Sequence, residues 1–311
     1  MIFYFYINLF FVKSIIIILL KKDHIHLYSE QESFHNSKIE NFYINYYKDK
    51  NIEYVNRVDE HQHTYYEIIW VETGHGVHTI DLTDYSYSGP CLFLLHPKNV
   101  HKIHKKTLSE GGVIKFNDRF FENDEPQSKF LLKFTVFNDI DVFPVINLSA
   151  SEAKEIKSLF GILHSQAKTD QIFTSALILN LLKSLLLKIY QIKKKNVPIQ
   201  SISNSSFIQF QEFQTLIENN FRNQHRLTFY SEILKISTKT LNEICKSISH
   251  KTSQKIVKDR LLLEAKRMLI YTNLSIKEIA FHLGFEDSAY FTRFFTTNIK
   301  LSPKAFKKSN S

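Results

Sequence analysis

Near its C-terminus the chain contains Ser275-Ile-Lys-Glu-Ile-Ala-Phe-His-Leu-Gly-Phe285, followed at once by Glu286-Asp-Ser-Ala-Tyr-Phe-Thr-Arg-Phe294. The apolar residues of the first part recur at helical spacing. Ser275 with Glu278 three positions later is the pattern of a capping box at the start of a helix. Gly284 can end a helix at little cost with a positive φ, so the sequence predicts a tight turn there.

The residues after this turn predict a second amphipathic helix, which Asp287 or Ser288 can cap. It should direct four aromatic side chains inward, namely Tyr290, Phe291, Phe294 and Phe295. A helix, a tight turn and a helix form the unit that places its second helix in the major groove of DNA, although an ordinary helical hairpin has the same pattern.

A second copy of this pattern lies upstream and favours the DNA-binding interpretation. It comprises a first helix over Tyr230–Ile236 and a second over Thr238–Ser247, with Ser231 at the small position that Ala280 holds in the other copy. One helix, Ser253–Tyr271, is predicted between the copies and would span roughly 28 Å. One turn of B-DNA is about 34 Å, so the two second helices could enter successive major grooves.

The region from Phe207 to Lys308 resembles the AraC/XylS family of bacterial transcription regulators. The residues that carry the resemblance are Arg260-Leu, Glu264-Ala-Lys-Arg-Met-Leu269, Ser275-Ile-Lys-Glu-Ile-Ala280, Leu283-Gly-Phe285, Tyr290-Phe-Thr-Arg-Phe294 and Leu301-Ser-Pro303. The sequence departs from the family pattern at Cys245, His250, Thr296, Lys300 and Lys307.

The resemblance implies an all-α DNA-binding domain over 207–311 that reads double-stranded DNA with helices 238–247 and 287–297. Residue chemistry assigns base-edge contacts to Lys239, Asn242, Glu243, Ser288, Thr292 and Arg293, since Arg suits guanine, Asn adenine and Glu cytosine. By the family pattern, Thr238, Thr240, Lys246 and Lys251 would hold phosphates.

The distribution of charge agrees with this division. The chain carries a net charge of +9, with 17 Lys/Arg and 9 Asp/Glu residues from Gln200 onward against 23 and 22 before it. A basic segment beside a neutral one is typical of a nucleic-acid-binding domain joined to a domain with another role. Cys91 and Cys245 fall in different predicted domains, so no disulfide framework is expected.

The first residues, 1–22, form a hydrophobic extension that ends at Lys21-Lys22. The apolar run is about the length that spans a bilayer, and it lacks the small-residue cleavage site of a secretory signal peptide. Three interpretations stay open: a membrane tether through residues 1–20, a buried or disordered extension, or a start codon assigned too early. In each case we expect the DNA-binding part to be cytoplasmic.

The region 40–150 predicts a cupin-like jelly-roll β-barrel, since short strands alternate with turns. The strand Tyr65–Val71 is followed by Gly74-His-Gly76, which predicts a hairpin turn. His61-x-His63-x3-Glu67-x6-Gly74 has the spacing of the first metal motif of metal-binding cupins, and His101 could be a fourth ligand. The favoured interpretation is instead an effector pocket without metal or other cofactor, lined by His63, Tyr66, Trp70, Phe93 and His101.

A helical segment, 151–195, should follow the barrel as two helices, 151–166 and 170–194. The second has a near-heptad row comprising Ile172, Ala176, Leu179, Leu182, Leu186 and Ile189, which favours a homodimer through this helix, although such a row can also face the protein's own core. Residues 196–206 are polar and Ser-rich and predict a linker.

The sequence therefore predicts an α+β protein with an N-terminal cupin-like β-barrel, a helical hairpin and a C-terminal all-α domain with two helix-turn-helix motifs. The function predicted is a sequence-specific transcription regulator, not an enzyme, controlled by a small-molecule effector and able to contact RNA polymerase. The alternatives are a metal-dependent cupin enzyme with an appended helical domain, or a membrane-tethered form of the regulator.

Overall fold

The computed structural model describes residues 26–29, 34, 37–51, 59–97, 99–121, 136–137, 144–195 and 204–310. The described chain falls into an N-terminal unit within residues 26–199 and a C-terminal unit that begins after residue 200. The predicted extension 1–22 and most of the predicted linker 196–206 lie outside the described residues.

The N-terminal unit contains two five-stranded sheets. Its strands in chain order are β1 (His26–Tyr28), β2 (Phe42–Lys48), β3 (His61–His63), β4 (Tyr66–Thr73), β5 (His75–Ile80), β6 (Thr83–Ser88), β7 (Cys91–Leu95), β8 (Val100–Lys105), β9 (Glu110–Phe116) and β10 (Val145–Asn147). The first sheet has the order β1-β3-β8-β5-β6 and the second β10-β7-β4-β9-β2. Every pairing except β1 with β3 is antiparallel, as expected for a sandwich of short strands.

The predicted hairpin turn at Gly74-His-Gly76 is wrong. β4 belongs to the second sheet and β5 to the first, where β5 pairs with β6 and β8. The chain therefore crosses between sheets at Gly74, which has φ 109°. A Cβ at Gly74 would lie 2.3 Å from Ser109 Oγ, so the crossing requires glycine for space as well as for backbone conformation.

Two helices pack on the outer face of the second sheet. They are α1 (Ala150–Ala167), which begins with a capping box at Ser149, and α2 (Thr174–Lys194). The side chains of α2 that are buried with the sheet residues are Ile178, Leu182, Leu185, Leu186 and Ile189. The predicted near-heptad row is therefore divided, because its C-terminal half faces the protein's own core while Ala176 is exposed.

By length and composition α2 would also qualify as a membrane span, since its residues 174–193 have a mean hydropathy of 1.3. About 28% of this window is buried, and its buried side chains belong to the core of the N-terminal unit.

The C-terminal unit is entirely helical over its described residues. Its helices are α3 (Asn204–Asn220), α4 (Leu227–Ile233), α5 (Thr238–Ser249), α6 (Ser253–Tyr271), α7 (Ile276–His282), α8 (Ser288–Ile299) and α9 (Pro303–Ser309). Residues from α3 through α8 share one hydrophobic cluster, to which α9 adds Phe306. The two units together confirm the predicted α+β fold, with a β-rich N-terminal part and an all-α C-terminal part.

Candidate functional site

The pair α7 and α8 has the geometry that its sequence predicts. Ser275 Oγ accepts a hydrogen bond from the Glu278 amide at 3.2 Å, and Glu278 Oε2 accepts one from the Ser275 amide at 2.8 Å, which confirms the capping box. Gly284 has φ 75°, and a Cβ there would lie 1.9 Å from the Arg222 carbonyl oxygen. Asp287 then caps the start of α8, and its Oδ1 accepts a hydrogen bond from the Tyr290 amide at 2.7 Å.

The pair α4 and α5 repeats this geometry with different residues. Ser231 is buried where Ala280 is buried in the other copy. Four residues later, Lys235 has φ 54° where Gly284 has φ 75°. Ser237 caps α5 by accepting from the Thr240 amide at 3.0 Å. The backbone duplication is therefore closer than the sequences of the two copies suggest.

The ends of the two second helices also correspond. His250 follows α5 with φ 57°, and Lys300 follows α8 with φ 67°. Both are positions where the family pattern favours glycine, and both adopt the left-handed conformation that makes glycine favourable. These two departures from the pattern are thus accommodated at the cost of backbone strain.

One predicted inward side chain of α8 points elsewhere. Phe291 and Phe295 are fully buried and Phe294 partly so, but Tyr290 is 55% exposed. The inward prediction is wrong for Tyr290, because the buried stripe is set by Phe291 and Phe295 at a spacing of four, and Tyr290 lies about 100° from it around the helix.

The predicted base-edge residues divide into two groups. Lys239, Glu243 and Arg293 are exposed, and neither basic residue forms an ion pair with an acidic side chain in the described part of the chain. Asn242 is different, since its Oδ1 accepts from the Ser253 amide at 3.2 Å at the start of α6. A bidentate contact to adenine needs that oxygen, so Asn242 is engaged in fixing α5 to α6.

The hydroxyl of Thr292 is also engaged within its helix. It donates to the Ser288 carbonyl oxygen at 2.7 Å, so only its lone pairs and methyl group remain for a nucleic-acid base. Ser288 itself is partly buried at the start of α8.

Among the predicted phosphate contacts, Thr238, Thr240 and Lys246 are exposed on α5. Lys251 is not comparable, because its ammonium lies 2.9 Å from Asp259 Oδ2 and both side chains are largely buried. That ion pair ties the turn after α5 to α6, so Lys251 has a structural partner that the sequence did not indicate.

A buried ion network was also missed by the sequence analysis. Arg260 contacts Glu218 at 2.7 Å and Glu264 at 3.1 Å, and Arg222 contacts Glu264 at 2.6 Å. Burial raises the pKa of Glu264, but the surrounding arginines, Arg260 foremost, lower it to about 2 overall. The spacing of four residues between Arg260 and Glu264 could have predicted their ion pair from the sequence. Nothing in the sequence indicated the contact of Arg260 with Glu218 of α3.

In the N-terminal unit, three predicted residues converge between the sheets. The ligand-type atoms of His63, Glu67 and His101 all lie within 4.8 Å of one another, and all three side chains are buried. The fourth predicted residue, His61, is half-buried and pairs with His101 across β3 and β8, with ring centroids 4.1 Å apart.

Hydrogen bonds fix the orientation of these imidazoles. His63 Nδ1 lies 2.7 Å from the Tyr65 carbonyl oxygen, so this nitrogen donates and Nε2 carries the lone pair. His101 Nδ1 lies 3.0 Å from Nε2 of His78, a fully buried histidine that the sequence analysis overlooked. Burial lowers the pKa of His63 and of His78 to about 3 and that of His101 well below its ordinary value.

Two ionisable groups of the second sheet complete the cluster. Lys115 Nζ lies 3.7 Å from Glu67 Oε1, and Glu67 Oε2 lies 3.6 Å from His63 Nε2. Burial raises the pKa of Glu67. Burial lowers the pKa of Lys115, but the Glu67 carboxylate has the opposite effect and leaves it raised overall.

The structure divides the predicted effector-pocket residues. His63, Phe93 and His101 lie on the inner face of the sandwich, where Phe93 contacts His78 with ring centroids 4.5 Å apart. Tyr66 and Trp70 lie on the outer face, in the core shared with α1, and Trp70 packs against Phe160. Successive β-strand residues point to opposite faces, so Tyr66 and Trp70 cannot line the space that Glu67 faces.

An open depression of about 730 Å³ lies away from this cluster. Its lining residues come from the start of β5, the end of β6 with the turn after it, the residue after β8, and the end of β10. They are His75, Gly76, Ser86, Tyr87, Ser88, Gly89, Pro90, Lys106, Asn147 and Leu148.

Comparison with known proteins identifies both units. Residues 53–182 match the model of an AraC-like ligand binding domain, and residues 230–309 match that of a helix-turn-helix domain. The HTH-type transcriptional regulator YfiF of Bacillus subtilis is 28% identical over 275 residues, covering 86% of this chain and 83% of that protein. The HTH-type transcriptional activator RhaS of Yersinia pestis is 25% identical over 249 residues, covering 79% of this chain and 87% of that one.

Among solved structures, ToxT from Vibrio cholerae aligns with 88% of this chain and 99% of its own at 13% identity. The TM-score is 0.40, which is too low to add to the sequence matches.

Proposed function

Because this chain belongs to the AraC/XylS family of transcription regulators, we propose that it binds two successive major grooves on one face of a DNA duplex, one with α5 and one with α8. The observation that carries the proposal is the repeat of one helix-turn-helix geometry, at Lys235 and at Gly284, on either side of α6. At 1.5 Å per residue α6 is roughly 28 Å long, which is compatible with one turn of B-DNA.

We assign base-edge contacts foremost to Lys239, Glu243 and Arg293, because they are exposed on the second helix of each copy. Thr292 and Ser288 are weaker candidates, since the Thr292 hydroxyl already donates to Ser288. Asn242 and Lys251 are assigned to positioning α5 on α6 through Ser253 and Asp259.

Phosphate contacts are assigned to three exposed residues of α5, Lys246, Thr238 and Thr240. The Thr240 hydroxyl also lies 2.8 Å from Ser237 Oγ, so Thr240 is the weaker candidate of the two threonines. These groups would set the register of the protein on the duplex without specifying its sequence.

We infer that the N-terminal unit controls this activity by binding a small molecule on its inner face, and that the protein catalyses no reaction of its own. The proposed partners are chromosomal DNA and RNA polymerase. Because both are in the cytoplasm of a bacterium, the regulator would act there. RhaS carries the description of a transcriptional activator, and activation is the mode we propose for this chain.

We also propose a homodimer through α2. One side of this helix is buried in the core of the N-terminal unit. Apolar side chains remain exposed just before its first residue and along its other side, namely Ile172, Phe173, Leu177 and Leu187. Exposed apolar groups grouped on one helix are typical of a protein–protein contact.

The experiment that tests the DNA-binding proposal is selection of the full-length protein against a random duplex library, followed by the salt dependence of binding to the enriched sequence. A bipartite site with halves about ten base pairs apart is expected. Enrichment of one half-site alone would refute the proposal that both copies read bases. Binding that enriches no sequence and that disappears in moderate salt would mean that the protein only contacts phosphates non-specifically.

A further inference from the structure

The inner face of the sandwich holds two buried imidazole nitrogens without a hydrogen-bond partner beside a buried carboxylate. His63 Nδ1 donates to the Tyr65 carbonyl oxygen, so Nε2 presents a lone pair. The nearest acidic oxygen, Glu67 Oε2, lies 3.6 Å away, which is too far for a normal hydrogen bond. His63 Nε2 is buried without a hydrogen-bond partner in the described part of the protein, and so is His101 Nε2.

Buried polar atoms without a hydrogen-bond partner are unfavourable. A cation between them removes that cost, since two imidazole nitrogens and one carboxylate oxygen form a ligand set that first-row divalent metals prefer. The three side chains come from β3, β4 and β8, so rigid strands of both sheets position them.

We propose that His63 Nε2, a Glu67 carboxylate oxygen and His101 Nε2 bind one divalent transition-metal ion. Binding of the ion does not depend on the function proposed above. Its consequence rests on that function, because the ion would be part of the signal that the N-terminal unit receives. The sequence favoured a pocket without metal; the convergence of three buried ligand atoms within 4.8 Å is what changes that interpretation.

Neighbouring groups orient the ligands as metal sites require. The Tyr65 carbonyl holds Nδ1 of His63, and His78 holds Nδ1 of His101, so each ring has its Nε2 directed at the site. Such outer contacts fix the tautomer of a metal-binding histidine. The positive charge of Lys115 disfavours a cation nearby. Its ammonium faces Glu67 Oε1, however, and leaves Glu67 Oε2 directed toward His63.

His61 is the neighbour of the proposed site that keeps partial access to solvent. Its ring is half-buried beside His101, and its Nδ1 is bonded to the Asp59 carbonyl oxygen at 2.9 Å. Three protein ligands leave coordination positions open, and His61 borders them as a fourth ligand or as a contact for an incoming ligand.

The test uses the full-length protein after dialysis against a chelator, titrated with Co²⁺ as a spectroscopic probe and with Zn²⁺ in competition. One ion per chain is expected. Glu67→Gln and His101→Gln should weaken binding by about 100-fold or more, since loss of an outer contact alone costs 10–100-fold. Glu72→Gln on β4 and His104→Gln on β8 are the matched controls and should bind as the unsubstituted protein does.

A second measurement needs no substitution and holds if a variant fails to fold. X-ray absorption of the Zn²⁺-loaded protein should show at least two imidazole ligands. Less than one ion per chain, unchanged affinity in both ligand variants, or a zinc environment without two imidazoles would overturn the proposal.

DNA binding measured on the same preparation separates the two proposals. A protein that binds its selected DNA site but no metal would refute the metal site alone. A protein that binds one metal ion but no DNA would refute the proposed function alone.

Discussion

Replacement of Gly284 by alanine is expected to destabilise the C-terminal unit severely. Gly284 has φ 75°, a conformation that costs a residue with a side chain about 1–2 kcal/mol. The new Cβ would also lie 1.9 Å from the Arg222 carbonyl oxygen, a backbone atom that can move only with the chain between α3 and α4. Forced overpacking of this kind costs a further 1–3 kcal/mol or so, so the expected total is about 2–5 kcal/mol.

Two spectroscopic signals distinguish the units in this experiment. The chain has a single tryptophan, Trp70, which is buried in the N-terminal unit, so its fluorescence reports that unit alone. Circular dichroism at helical wavelengths is weighted toward the all-α C-terminal unit. A loss of about 2 kcal/mol or more should lower the helical transition by at least about 8 °C, given about 4–8 °C per kcal/mol for a domain of this size.

Lys235→Gly is the matched control, because Lys235 occupies the equivalent turn of the other copy with φ 54°. It should raise the helical transition rather than lower it, since glycine relieves the left-handed strain. The reasoning would be refuted if Gly284→Ala moved the helical transition by less than about 2 °C, or if the Trp70 transition moved by as much as the helical one.

Four further substitutions test other parts of the structure. Lys300→Gly should stabilise the C-terminal unit by about 1 kcal/mol, seen as a higher helical melting temperature, because Lys300 has φ 67°. Arg293→Ala should relax specificity at one or two base pairs when the selection is repeated. Lys246→Ala should weaken binding to all sequences alike and reduce the slope of log affinity against log salt concentration by about 1. If both substitutions weakened binding to all sequences equally, the groove assignment would be contradicted. Glu264→Gln should cost about 3 kcal/mol in urea unfolding, since it leaves Arg260 incompletely paired while buried. The pKa of Glu264 is depressed to about 2, so its stabilisation is complete above the ordinary carboxyl pKa and is lost as pH falls toward 2. The substituted protein should therefore lose less stability than the original between about pH 5 and pH 2, and an identical acid profile would refute that role.

The dimer proposal has its own measurement. Leu177→Glu places a charge among the exposed apolar side chains of α2 and should shift sedimentation from dimer to monomer, while leaving the Trp70 transition unchanged because Leu177 is 45% exposed. Ser158→Glu, at an exposed position of α1 outside the proposed contact, is the control. A dimer that survives Leu177→Glu would place the contact elsewhere.

Features that depend on residues close together in the chain could be predicted without the structure. The capping box of Ser275 and Glu278, the turn at Gly284 and the bounds of α6 followed from side-chain periodicity and cap chemistry, which act within one or two helical turns. The family resemblance rests on the same local patterns, so the two helix-turn-helix motifs could be placed without coordinates.

The folded chain was needed to distinguish polar side chains that are available for DNA or a ligand from those that already have a partner within the protein. Asn242 meets the start of α6, and Lys251 meets Asp259, through contacts that no local pattern encodes. In the barrel, alternation put Glu67 on one face, but only the pairing of β3 with β8 brought His63 and His101 to it. Sheet membership separated Tyr66 and Trp70 from that space, because strand pairing between distant segments is set by burial of whole faces rather than by neighbouring residues.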